Sequence, residues 1–283
     1  MSLTNQDIDA VCALVQDLCG IALDESKSYL IENRLADLLR REKCASYADL
    51  AIRARSAMAT SLQREIVDAM TTNETLFFRD GAPFEALRHK VLPELIDTKL
   101  ARGGAVRLRI WSAACSAGQE PYSLAMTLCE LAPQVVDWDV QILATDISDA
   151  MIRRASRGWY AAHEVERGLP EPLRSRYFVP EENGWRVKDS LRYLVRFERR
   201  NLLEPLSGVG TFDIVFCRNV AIYFTPDDRR RVFLNLADTL YDDGYLFVGS
   251  QESLLDLGPR FRPHEHCRAT FYRPNLPQPA GVR

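Results

Sequence analysis

Residues 106–123 read VRLRIWSAACSAGQEPYS, and they indicate the fold class of the chain. Residues 106–114 read as a β-strand. Small residues and Gly118 follow, and residues 120–131 then show a helical pattern with Pro121 in the first turn. A buried strand that passes through a short loop into a helix is the repeating unit of an α/β fold.

The same unit recurs further along the chain. Ser148 and Thr225 are placed to cap the helices that follow two of the later strands. Further strands are predicted at residues 140–147, 212–220 and 245–252, with a closing antiparallel pair in residues 261–274. Apolar strands separated by helices predict an open, mainly parallel sheet that is covered on both faces.

Residues 173–199 break this alternation. They offer three short β-like runs with a turn at residues 182–184. This pattern predicts a small antiparallel β insert within the α/β domain.

The first 70 residues have a helical period throughout. Thr4 and Asp7 form a capping-box pattern, a second helix is expected from about Ser26, Ser46 is expected to cap a third, and a fourth should end at Met70. The sequence therefore predicts an all-α N-terminal domain at 1–70. A junction at 71–82 and an α/β domain at 83–283 follow.

Composition excludes several classes of protein. The chain of 283 residues has a formal net charge of −3, which argues against bulk attraction to nucleic acid. A secretory leader and an apolar run of membrane-spanning length are not apparent, so a cytoplasmic location is expected.

The seven cysteines lack zinc-type spacing and are expected to be reduced. His264 and His266 could begin a metal site, but an edge strand is the stronger interpretation, and we expect no metal.

Two acidic residues follow predicted strands at the edge of the sheet where ligands bind. Glu120 stands where a pyrophosphate would meet a helix N-terminus, and the loop before it is not G-x-G-x-x-G. A cofactor with a positive amino group would suit this loop better. Asp146 is placed either to accept hydrogen bonds from ribose hydroxyls or to cap the next turn. Together they favour an adenosine cofactor without a diphosphate, of which S-adenosylmethionine is the commonest.

Five motifs resemble one family over nearly the whole chain, namely the CheR-type methyltransferases, which methylate glutamate side chains of bacterial chemoreceptors. The motifs are TNETLFFR (72–79), WSAACSAGQEPYS (111–123), ATDIS (144–148), NLL (201–203) and FDIVFCRNVAIYF (212–224). The resemblance implies a Rossmann-like class I methyltransferase sheet, S-adenosylmethionine as cofactor and a role in chemotaxis. A protein of the same fold that senses the cofactor without turnover is the alternative.

The resemblance also implies roles for particular residues. The cofactor-binding set is Asn73, Thr75, Arg79, Glu120, Asp146, Asn201, Leu202, Arg218 and Asn219. Arg79 and Tyr223 would hold the acceptor carboxylate, but Arg79 could instead pair with Glu74 or Asp80, and Tyr223 could simply pack behind its strand. Phe77 and Phe78 are expected to pack the junction onto the domain. Cys115 and Cys217 are expected to be buried filling.

The receptor segment that carries the acceptor is a coiled coil in this family. A basic face on the N-terminal helices would suit an acidic helix bundle, although a merely solvated face is an equal alternative. Its members are Arg34, Arg40, Arg41, Arg53 and Arg55. Some family members tether a receptor tail peptide on the β insert, but the short turn VPEENGW at 179–185 argues against tethering here. We expect a monomer.

Overall fold

The computed structural model describes residues 3–23, 28–103, 106–132, 135 and 137–275. Four helices form the N-terminal part: α1 Asn5–Cys19, α2 Ser28–Arg41, α3 Tyr47–Ala54 and α4 Thr60–Met70. Thr4 and Asp7 form the predicted capping box, and Ser46 Oγ accepts a hydrogen bond from the Asp49 N–H. The expected start of the second helix at Ser26 lies outside the described residues. These four helices enclose their own apolar core.

The α/β part contains ten strands and eight further α-helices among the described residues. The strands are β1 Arg107–Ala113, β2 Asp139–Asp146, β3 Trp159–Ala161, β4 Phe178–Glu181, β5 Gly184–Val187, β6 Val195–Arg199, β7 Phe212–Cys217, β8 Leu240–Val248, β9 Phe261–His266 and β10 Ala269–Pro274. The helices are α5 Ala82–Ala86, α6 Leu92–Ala101, α7 Gln119–Leu131, α8 Asp149–Arg157, α9 Ala162–Glu166, α10 Glu171–Tyr177, α11 Asp189–Arg192 and α12 Pro226–Ala237. A π-helical turn, Leu87–Val91, joins α5 to α6.

The large sheet has the strand order β6-β2-β1-β7-β8-β10-β9. Its first five strands run parallel, and β10 is antiparallel to both β8 and β9. Successive residues of β7 enter different cores: Ile214 and Phe216 belong to one apolar cluster, and Val215 and Cys217 to the other. Helices therefore cover both faces, and the predicted α/β class and mainly parallel sheet are confirmed.

The small antiparallel sheet exists, but its composition differs from the sequence prediction. Its order is β3-β5-β4, so its third strand comes from before the predicted segment. The last β-like run of residues 173–199 is β6, which pairs parallel to β2 in the large sheet from Ile142↔Val195 to Asp146↔Arg199. The assignment of that run to the insert was wrong, because its place depends on pairing with a distant strand.

The junction packs through its two phenylalanines, as predicted. Phe77 is fully buried, and its ring centroid lies 5.0 Å from that of Tyr160 and 5.6 Å from that of Phe178. Phe78 takes a left-handed φ of 52°, and its N–H donates to Ser123 Oγ over 3.0 Å. These contacts fix the backbone that immediately precedes Arg79.

The H-x-H pair lies on β9, an edge strand of the large sheet, as favoured from the sequence. Among the residues that the structure describes, three or more His, Cys, Asp or Glu side chains nowhere gather in a way that could hold a metal ion. Over the same residues, every helix is too short or too polar to span a bilayer.

Candidate functional site

A cleft lies where the carboxyl ends of the parallel strands meet the junction. The ends of β1, β2, β6 and β7 face the same edge of the sheet, so the loops after them converge. All ten residues predicted for the site line this cleft: Asn73, Thr75, Arg79, Glu120, Asp146, Asn201, Leu202, Arg218, Asn219 and Tyr223. The structure thus brings the predicted set together, while the contacts of each residue with a cofactor stay predictions.

The N-terminal part also contributes to the cleft, which the sequence did not indicate. Cys19 and Ile21 lie in its lining. The chain after α1 is held against the loop that follows β7, since the Ala22 N–H donates to the Tyr223 carbonyl over 2.8 Å. Gly20 ends α1 with a left-handed φ of 74°, and the path of the chain beyond it depends on a contact about 200 residues away.

Arg218 joins the junction to the loop after β1. Its Nη1 donates to Glu120 Oε2 over 3.0 Å, and its Nη2 donates to Asp80 Oδ2 and to the Arg79 carbonyl, each over 2.8 Å. Ser112 Oγ donates to the other Glu120 oxygen over 2.7 Å. The Arg218 side chain is only 1% exposed. Its guanidinium is therefore occupied in holding the cleft together, in addition to lining it.

Arg79 is the less constrained of the two cleft arginines. Its Nη1 donates to the Glu74 carbonyl over 2.9 Å, and no carboxylate of the described chain lies within salt-bridge distance of it. The Glu74 carboxylate pairs with Arg167 instead, over 3.1 Å, and the Asp80 carboxylate pairs with Arg218. The alternative in which Arg79 forms an ion pair with Glu74 or Asp80 is thus not what the structure contains.

Asp146 and Asn201 both hold the backbone around them. Asp146 Oδ2 accepts from the Ser116 N–H over 2.8 Å, and Oδ1 accepts from the Ser148 N–H over 2.9 Å. Burial raises the pKa of this carboxyl, and those two backbone donors oppose the rise. Asp146 therefore does cap the next turn, and each of its carboxylate oxygens still has a lone pair that can accept a hydrogen bond from a ligand. Asn201 likewise donates to the Leu18 carbonyl and accepts from the Leu203 N–H.

Glu252 is a structural residue of the site that the sequence reasoning missed. Its buried carboxylate accepts hydrogen bonds from four backbone N–H groups, over distances of 2.7 to 3.2 Å. The donors are Gly249, Asn219, Val220 and Ala221. The loop after β7 therefore takes its shape, including the left-handed φ of 57° at Asn219, around this carboxylate.

We expect Glu252→Gln to lower the free energy of unfolding by about 3 kcal/mol, because an amide offers one acceptor oxygen where the carboxylate offers two and leaves buried N–H groups unpaired. Chemical denaturation measures this difference. Glu265→Gln on the exposed edge strand is the matched control. Equal stability of the two variants would show that the loop does not depend on the Glu252 carboxylate.

The chemistry of the lining suits a cationic adenosine cofactor. Carboxylates of Glu120 and Asp146 and carbonyls of the junction supply acceptors for ammonium and hydroxyl donors. Cys115 and Cys217 are fully buried, and burial raises the pKa of both thiols well above the usual value. They are therefore unreactive residues of the core, as expected.

Comparison of the sequence with known proteins identifies the family of this chain. Residues 6–71 match the all-alpha domain of the CheR methyltransferases, and residues 73–269 match the SAM binding domain of the same family. The chain is 42% identical to chemotaxis protein methyltransferase 1 of Pseudomonas aeruginosa over 277 residues, which cover 96% of this chain and 99% of that protein. It is 41% identical to chemotaxis protein methyltransferase Cher2 of Pseudomonas putida over 266 residues, or 93% of this chain and 95% of that protein. This chain belongs to the CheR family of S-adenosylmethionine-dependent chemotaxis protein methyltransferases.

Proposed function

We propose that this protein transfers a methyl group from S-adenosylmethionine to glutamate side chains on the cytoplasmic helices of chemoreceptors. The products are glutamyl methyl esters and S-adenosylhomocysteine. The observation that carries the proposal is the single cleft that collects the strand-end residues and the junction residues, with an Arg79 guanidinium that pairs with no described carboxylate. The chain acts in the cytoplasm as a monomer.

Each wall of the cleft has a part in holding the cofactor. Glu120 and Asp146 accept from its amino and hydroxyl groups, and Asn201 and Leu202 flank the adenine. Asn73 and Thr75 supply polar contacts from the junction. Arg218 and Asn219 form the wall beside the reacting group, where Arg218 also fastens Glu120 in place over 3.0 Å.

The reaction needs positioning more than proton transfer. Bound S-adenosylmethionine supplies a methyl group made electrophilic by its sulfonium. A glutamate side chain has a reference pKa of about 4.3, so the acceptor is already ionised at neutral pH and needs no general base. The two-pronged guanidinium of Arg79 and the phenol of Tyr223 orient this carboxylate. Orientation of this kind can supply roughly 7 to 11 kcal/mol of a barrier.

Methyl transfer from labelled S-adenosylmethionine to a receptor cytoplasmic fragment tests this function. We expect label on the receptor fragment that mild base releases, since carboxyl methyl esters hydrolyse readily. Label that resists mild base, or that appears on nucleic acid alone, would contradict the proposal.

The receptor is expected to dock on exposed arginines of α2. Arg40 and Arg41 are more than half exposed, although they also contact acidic neighbours, with Arg41 Nη1 2.5 Å from Glu65. Arg53 and Arg55 pair with Glu42 and Asp17. Arg34 contributes less, because its guanidinium donates to the carbonyls of Met70 and Thr71 at the start of the junction.

Replacing Arg40 and Arg41 together by alanine is expected to weaken receptor binding several-fold and to flatten its dependence on salt, since exposed charges act through a screened field. Titration of the receptor fragment at two ionic strengths measures both effects. Arg262→Ala, on the exposed edge strand β9, is the control. Equal losses in the two variants would assign the α2 arginines to a solvated face.

Tethering of a receptor tail peptide is not expected here. The turn between β4 and β5 is short and has Asn183 in a left-handed conformation before Gly184. Calorimetry with the tail peptide should give no measurable heat, and tight binding to the small sheet would overturn this prediction.

A further inference from the structure

Arg200 occupies a fixed position beside the predicted cofactor residues. It directly follows β6, and its backbone N–H donates to the Asp146 carbonyl over 2.9 Å. The pairing of β6 with β2 brings these residues to the same edge of the sheet. The Arg200 side chain lines the cleft.

The guanidinium of Arg200 has an ion-pair neighbour, Glu198, but makes no hydrogen bond within the described part of the protein. Its Nε is buried without a hydrogen-bond partner, and its Nη2 lies 3.7 Å from Glu198 Oε2, which is too long for a hydrogen bond. The side chain is only 23% exposed. Arg199 differs, because its Nε donates to the Ile147 carbonyl over 3.1 Å. A buried Nε–H group without an acceptor is unfavourable, so a ligand with acceptor atoms fits this place.

The position of Arg200 selects the part of the cofactor that it meets. It precedes Asn201 and Leu202, the pair expected at the adenine, and lies beside Asp146, expected at the ribose. Adenine ring nitrogens and ribose oxygens are acceptors. The methionine carboxylate is an acceptor too, but the neighbours of Arg200 are the residues expected at the adenosine half. We propose that Arg200 is a further cofactor-binding residue, which donates to an acceptor on the adenosine half of S-adenosylmethionine. The inference rests on the cofactor and is independent of the methyl acceptor.

Calorimetric titration of two ligands tests the assignment. S-adenosylhomocysteine contains both halves of the cofactor, and 5′-methylthioadenosine contains the adenosine half without the amino acid. The variant is Arg200→Met, which keeps the length of the side chain and removes its donors. Arg196→Met is the matched control, because Arg196 also pairs with Glu198 but is 65% exposed and does not line the cleft.

We expect Arg200→Met to raise the Kd of both ligands by the same factor, about tenfold. Arg196→Met should leave both Kd values within roughly twofold of the wild type, which is below the weight of one hydrogen bond to a charged group. Unchanged Kd values in Arg200→Met, or a rise for S-adenosylhomocysteine alone, would overturn the assignment to the adenosine half. If Arg200→Met does not fold, Arg200→Leu, which also lacks donors, carries the same test. If the wild type binds neither ligand, the cofactor assignment itself fails.

Discussion

Arg79→Ala is expected to lower turnover on the order of 100-fold while changing the free energy of unfolding by less than about 1 kcal/mol. The Arg79 side chain makes one hydrogen bond, to the Glu74 carbonyl, and is partly exposed in the cleft. Its loss therefore removes little that holds the fold. If the guanidinium orients the acceptor carboxylate, its loss leaves that group free to point away from the methyl donor.

Steady-state kinetics with a receptor fragment and chemical denaturation of the same preparations measure these two effects. Arg79→Lys is the control, because it keeps the positive charge but loses the planar pair of donors, and we expect it to recover only part of the turnover. Unfolding of Arg79→Ala would show that Arg79 is needed for the stability of the fold. Normal turnover would remove it from the reaction altogether.

Arg218→Ala is expected to have the opposite effect and to destabilise the protein by about 3 to 5 kcal/mol. Arg218 is fully buried between Glu120 and Asp80, and removing one partner of a buried ion pair leaves an uncompensated charge. It also deprives the Arg79 carbonyl of its donor. The junction would then lose this polar connection to Glu120 at the start of α7.

The double variant Arg218→Ala with Glu120→Gln separates charge from packing. Neutralising Glu120 removes the more buried of the two carboxylate charges that Arg218→Ala leaves unpaired, so the double variant should be more stable than Arg218→Ala alone, as measured by urea denaturation. If Arg218→Ala keeps wild-type stability but loses turnover, Arg218 does not stabilise the fold through its ion pairs and instead acts on the reacting groups.

The sequence predicts the strands of the large sheet well where their burial is complete. The run in β7 is apolar at every position but Asp213, because both of its faces are covered, and such a pattern needs no partner to be recognised. The strand β6 was misplaced because its half-exposed residues look like an insert strand, and only its pairing with β2 decides where it belongs. The three-residue strand β3 is too short to carry a pattern.

Some residues of the candidate site could be predicted from the sequence and others could not. Glu120 and Asp146 could be predicted because residues after parallel strands meet at one edge of the sheet. Glu252 could not, since its four backbone donors come from two separate loops and no local pattern marks such a carboxylate. Arg200 escaped notice for the related reason that an unpaired donor is visible only once its surroundings are known.

The most direct test is to locate the transferred methyl group. Wild-type protein, Arg79→Ala and Arg79→Lys would each be incubated with S-adenosylmethionine and a receptor cytoplasmic fragment, and the fragment would be mapped by peptide mass spectrometry. We expect the wild type to place base-labile methyl groups on glutamate side chains, Arg79→Ala to place almost none in the same time, and Arg79→Lys to fall between them. Methylation at another residue type, or equal methylation by all three proteins, would show that this cleft does not align a glutamate carboxylate for methyl transfer through Arg79.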